Sequence, residues 1–249
     1  MLLSAAGVVL STSSPAAEGF DAEAWARVLA RVQHDGGLDY AGLAADRGDL
    51  DRVLISLANA SLEGASVPQR LAFWSNAYNA VVAHFVLERY PGLVTVRDID
   101  GFFDVLTHRV AGEALTLDEI ETRARDLGDP RVHFAVVCAS ESCPDLRHEP
   151  YVAARLHEQL EEQTRAFLAD PEKGLRYDSA ANEVWLSSIF KWYAGDFTGG
   201  STLVAFLARG PVLQWLLPFL DQGLGEALRR RDPAIRYLDY DWSLNDRPK

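Results

Sequence analysis

The chain has 249 residues, 48% hydrophobic and 24% charged, a composition ordinary for a globular protein and sufficient for one sizeable core. Its 36 acidic and 24 basic residues give a formal net charge of −12, which opposes phosphate backbones and anionic membranes. No RNP, zinc-finger or Walker pattern offsets that charge, so nucleic-acid binding is not expected and no cofactor is implied.

Residues 1–19 read as a secretion signal or a disordered leader. Met1 to Leu10 is apolar and Ser11 to Glu18 supplies small residues suited to cleavage, but the basic n-region of an export signal is missing. A periplasmic or secreted location is the expectation, with a cytoplasmic one as the alternative. Residues 20–249 read as one domain, since no linker, repeat or low-complexity tract divides them. Helices are expected over Ala22 to Val32, over Asp49 to Ala60, and from about Pro68 to Tyr90, where Pro91-Gly92 ends the run. Val105 to Val110 and Ala114-Leu115 then predict a hairpin. Thr116 and Glu119 have the spacing of a capping box at the head of a further helix.

The continuous apolar run Val132 to Cys138 predicts a buried strand, and Tyr151 to Leu168 an amphipathic helix. A second hairpin is expected from Leu175–Tyr177 and Glu183–Leu186, followed by a short helix, Ile189 to Tyr193, capped by Ser187 or Ser188. Leu203 to Leu220 is rich in apolar residues, but Arg209-Gly-Pro211 interrupts it, so buried helices and not a transmembrane span are expected. Helices first and strands grouped later predict an α+β fold, N-terminal helices packed on a small, mainly antiparallel sheet.

Three segments combine polar groups with aromatic density. In Phe73-Trp-Ser-Asn-Ala-Tyr-Asn79, Asn76 and Asn79 lie three apart and point the same way beside Trp74 and Tyr78. Asparagine is a poor helix-interior residue, so these amides either tie the helix to a neighbouring loop or serve a site. The second segment holds the only two cysteines, Cys138 and Cys143, with His133 upstream and Ser140 and Glu141 between them. Cys143 directly before Pro144 reads as an N-cap with proline at N1, where a thiol pKa would fall. His133 is the nearest base in sequence, although on a strand positions 133 and 138 face opposite sides, leaving His84, His108 and His148 as alternatives. A Cys138–Cys143 disulfide and free thiols are both open. Zinc held by His133, Cys138, Cys143 and His148 fits knuckle spacing poorly, so no metal site is expected. The third segment, Leu186 to Phe197, carries Lys191, Trp192 and Asp196 as candidate binding residues. In Tyr237 to Asn245, Asp239 and Asp241 share one side of an extended segment that nothing assigns to chemistry.

Phe73 to Asn79, His133 to Cys138 with Ser142-Cys-Pro144, Leu186 to Tyr193 with Asp196-Phe197, and Tyr240 to Asn245 together resemble the signature of the DUF547 family. The resemblance runs from about Asp39 to Asn245 and maps the motif residues onto Asn76, Asn79, His133, Cys138, Cys143, Lys191 and Asp196. It implies export, but no activity, because that family is a domain of unknown function. A looser likeness to papain-like and transglutaminase-like thiol enzymes meets a difference: the helix that would bear their nucleophile holds Asn76 and Asn79 and no cysteine. The expectation is a thiol-dependent hydrolase or transferase acting on amide or thioester bonds. Cys138 or Cys143 would attack, His133 would be the base, and Asn76 or Asn79 would orient it or bind the oxyanion. The alternative is a non-catalytic cell-envelope binding or scaffold domain with a structural disulfide. A small-molecule or peptide ligand near the cysteines is the expected partner, with Trp74, Tyr78, Ser140, Glu141, Lys191, Trp192 and Asp196 binding it.

Overall fold

A computed structural model describes residues 18–199 and 209–247; the leader up to residue 17 and the start of the Leu203 to Leu220 stretch lie outside the described residues. The fold is α+β, as its sequence order of elements predicts.

Helix α1 (Ala22–Leu29) is capped by Asp21 and buries Trp25 and Val28 against α3 (Gly48–Asn59). The short α2 (Tyr40–Ala45) starts at Asp39, whose carboxylate accepts the Gly42 N–H. Helix α4 (Val67–Leu87) opens on a Ser66/Gln69 capping box and is buried on nearly every face, so it is the central rod of the larger core.

Strands β1 (His108–Val110) and β2 (Glu113–Leu115) form a hairpin whose two loop residues, Ala111 and Gly112, both have positive φ. It is shorter than expected at its N-terminal side. Helix α5 (Leu117–Arg125) carries the expected Thr116/Glu119 capping box and packs along α4. Helix α6 spans Leu156–Ala169 and begins later than its apolar pattern suggested. The reason is local: the Tyr151 backbone is bonded by Asn76, and the Val152 N–H by Gln159.

The second hairpin is β3 (Leu175–Asp178) with β4 (Glu183–Leu186), and β5 (Ala234–Tyr237) adds to β4 in parallel, giving the order β3-β4-β5. Helices α7 (Ile189–Trp192), α8 (Ala194–Phe197), α9 (Arg209–Leu216) and α10 (Gln222–Arg231) share a core with this sheet. They bury Phe134, Phe190, Phe197 and Leu216 in a second, smaller core. No described helix is long and apolar enough to cross a membrane.

Val132 to Cys138 is not a strand. Pro130 and the Asp129 cap start a 3-10 helix over Pro130–Phe134, and residues 136–138 continue without regular structure. Nor does a helix begin at Pro144, so Cys143 gains nothing from a helix dipole; the Leu146 N–H is instead bonded to the Gly36 carbonyl.

Candidate functional site

The buried segment after Phe134 finds its backbone partners in a side chain. Asn79 donates to the Ala135 carbonyl at 2.9 Å and accepts the Val137 N–H at 2.8 Å. One turn earlier on α4, Asn76 accepts from Trp25 Nε1 and the Tyr151 N–H and donates to the Tyr151 carbonyl. Both carboxamides are buried and spent on these bonds, which tie α4 to two neighbouring loops.

Held in this way, the chain delivers His133, Val136, Cys138 and Cys143 to one pocket of about 300 Å3. Helix α4 adds Tyr78, α5 adds Asp118 and Glu121, and Phe103, Trp192, Tyr193, Tyr240 and Trp242 supply further aromatic wall. Cys138 and Cys143 are joined in a disulfide across a turn in which Ala139 sits at φ 64°. A non-glycine residue in that left-handed region is held there by its surroundings.

Those surroundings are polar. The Cys138 N–H donates to Cys143 Sγ at 2.9 Å, the Tyr240 hydroxyl stands 3.2 Å from the same sulfur, and the Ser140 hydroxyl lies 3.0 Å from Cys138 Sγ. Burial pushes the Tyr240 phenol up to about 12, so it is a donor at neutral pH. A strap from the C-terminal segment pins the turn from outside. Glu141 N–H bonds the Ser243 carbonyl, Ser142 N–H bonds the Asp241 carbonyl, and Arg247 grips the Glu141 carboxylate at 2.6 and 2.8 Å.

His133 is buried, and its Nε2 lies 2.8 Å from Asp196 Oδ2. The His133 bond, and with it the paired Arg125 guanidinium, holds the Asp196 carboxyl well below the usual carboxylate range. An ionised carboxylate only accepts, so Nε2 carries the proton in this bond. The imidazole stacks on Tyr193, with ring centroids 4.2 Å apart, and Arg125 lies 4.7 Å from that tyrosine's ring centroid. Burial raises the Glu121 carboxyl, opposed by its bond to Tyr193, and raises Asp118 as well.

Residues 62–168 match the family model described as "Protein of unknown function, DUF547". The resemblance to DUF547 is borne out over this segment. Searches of curated proteins and of solved structures each return no match.

The DUF547 segment contains the first two motifs and therefore His133, Cys138 and Cys143, together with Asp118 and Glu121. Asp196, Trp192, Tyr193, Tyr240 and Trp242 come from beyond it. The irregular path after Phe134 removes the alternation that would set His133 and Cys138 on opposite sides, and both line the pocket. Of the other expected residues, Tyr78 and Trp192 also line it, and Asp196 reaches it through His133. Ser140 lies beside the sulfurs, and Glu141 is in the turn, gripped by Arg247 of the strap. Lys191 is exposed beside Tyr237, while Trp74 lies in a separate cleft under Arg123. Asn76 and Asn79 do not line the pocket; they position the segments that do. His84 and His108 pack on each other elsewhere, and His148 lines a different cavity.

Two signals for the remaining pocket residues were present in the sequence. Glu121 occupies a core position in the Leu117, Ile120, Glu121, Ala124 spacing of α5, where an acid is out of place. Tyr240 and Trp242 alternate with Asp239 and Asp241, so the side opposite the two acids is aromatic.

Proposed function

We propose that the pocket is the active site of an exported thiol-dependent hydrolase or transferase acting on amide or thioester bonds, seen here in its oxidised form. The observation that carries this reading is the set of donors on Cys143 Sγ, namely the Cys138 N–H and the Tyr240 hydroxyl. Donors of that kind favour a thiolate and lower its pKa. Reduction by an external dithiol supplies two electrons and two protons and converts the disulfide into two thiols. His133, oriented by its bond to Asp196 and lining the same pocket, takes the Cys143 proton. The thiolate attacks the carbonyl carbon, the C–N or C–S bond breaks, and the leaving group departs with that proton from His133. Water, or an acyl acceptor, then cleaves the thioester intermediate and restores the thiol.

The test is alkylation of the native protein with iodoacetamide across pH, with and without reductant, read by intact mass. It is paired with hydrolysis of simple thioesters by the reduced protein. Expected are two labels only after reduction, Cys143 reacting with an apparent pKa below the roughly 8.5 of free cysteine, and hydrolysis lost in Cys143→Ser. Unperturbed reactivity at both thiols, or hydrolysis unaffected by Cys143→Ser, overturns it.

The bond itself favours a second reading, a cell-envelope binding or scaffold domain that uses the disulfide to hold the turn in an oxidising compartment. That reading expects a pair that resists dithiol in the folded state and no turnover in either redox form.

A further inference from the structure

We infer that this pocket takes a substrate bearing a positively charged ammonium group. The inference rests on the thiol acyl-transfer reading for its chemistry, but on the walls of the cavity alone for its charge. Trp192, Tyr240, Trp242 and Phe103 form a continuous aromatic surface, with centroid separations of 4.9 Å for Trp192–Tyr240, 4.6 Å for Tyr240–Trp242 and 6.2 Å for Phe103–Trp242. Ring faces present negative potential, and several of them around one space attract a cation more than a neutral group of the same shape.

An aromatic wall alone would suit any apolar guest. Here two carboxyl groups, Asp118 and Glu121, line the same cavity; the one basic side chain in its lining is His133, bonded to Asp196, and among the described residues no lysine or arginine lines it. Two arginines lie nearby, and each is accounted for. Arg125 is spent in a two-bond pair with Asp196. Arg97 stands 5.6 Å from the Trp242 ring and lines an adjoining cleft that shares Phe103 and Trp242 with the pocket. Trp242 thus already hosts one cation from the neighbouring cleft.

Burial makes ionised Glu121 costly, as its raised pKa records. A neutral guest leaves that cost in place and an anionic guest adds to it. A cation offsets it, so the carboxylates discriminate in the same direction as the rings.

The test is calorimetric titration of the full-length oxidised protein near neutral pH with choline and with its neutral isostere 3,3-dimethylbutan-1-ol. Choline is expected to bind about tenfold more tightly, the gain that a desolvated cation–π contact supplies. Trp192→Ala, at a half-exposed ring, and Glu121→Gln, a near-isosteric change, should each remove most of that preference while near-ultraviolet circular dichroism shows the fold intact. Equal affinities, binding of neither compound, or a preference unchanged in both variants overturns the inference. The titration needs no thiol chemistry. Choline preference without any thioester turnover sinks the acyl-transfer reading and leaves this inference standing. Turnover by the reduced protein that is equal for thioesters with trimethylammonium and tert-butyl heads sinks this inference and leaves the other.

Discussion

The Asn79 carboxamide accepts the Val137 N–H at 2.8 Å and donates to the Ala135 carbonyl, supplying from a helix the two bonds that a neighbouring strand would give. Asn79→Ala leaves both backbone groups buried and unpaired. The expected loss is about 2–6 kcal/mol in urea unfolding, from roughly 1–3 kcal/mol for each of the two stranded groups. Asn79→Asp should also destabilise, because it keeps the acceptor and loses the donor to Ala135.

His133 and Arg125 hold Asp196 ionised well below its ordinary value of 3.8, so the carboxylate stabilises the fold at neutral pH. That contribution is complete above the ordinary value and is lost as pH falls from there through the depressed folded value. Asp196→Asn should therefore melt lower than the parent at neutral pH, and the gap should narrow in acid. A gap that stays constant down to strongly acidic pH would show that charge pairing is not what Asp196 contributes.

Glu121 has the opposite sign. Burial raises its carboxyl above the ordinary 4.5, so the parent is favoured while the group is protonated. Stability is lost as pH rises from the ordinary value through the raised one. Glu121→Gln should melt higher than the parent at neutral pH and coincide with it in acid.

The disulfide closes a loop of sequence separation 5, so its entropic share is small, about 2 kcal/mol by the chain-entropy relation. Reduction should lower the unfolding free energy by that order and leave the protein folded, because the strap bonds of Glu141, Ser142 and Arg247 persist without it. Urea unfolding with and without a phosphine reductant measures this. Global unfolding on reduction would remove the thiol reading, since no folded dithiol state would exist to carry it.

What was legible in the sequence was short-range. The Thr116/Glu119 box, the 175–186 hairpin and the helical spacing of α1, α3 and α4 are written within windows of a few residues, and all form. The buried run after Pro130 was misread because its apolar pattern is that of a central strand, while its partner is a side chain 58 residues away. Burial was legible there, and the source of its hydrogen bonds was not. The aromatic side of Tyr240 and Trp242 was visible as alternation, but its meaning depends on the Ser142–Asp241 contact across 99 residues. Propensity carries no information over that distance.

The strap also orders events during synthesis. Cys138 and Cys143 leave the ribosome about a hundred residues before Tyr240, Trp242 and Arg247 exist to cover them. Both thiols therefore meet solvent, and each other, before there is a pocket. The pair can therefore be oxidised or left reduced before the strap closes over it, and any later change of redox state has to reach the sulfurs inside the finished pocket.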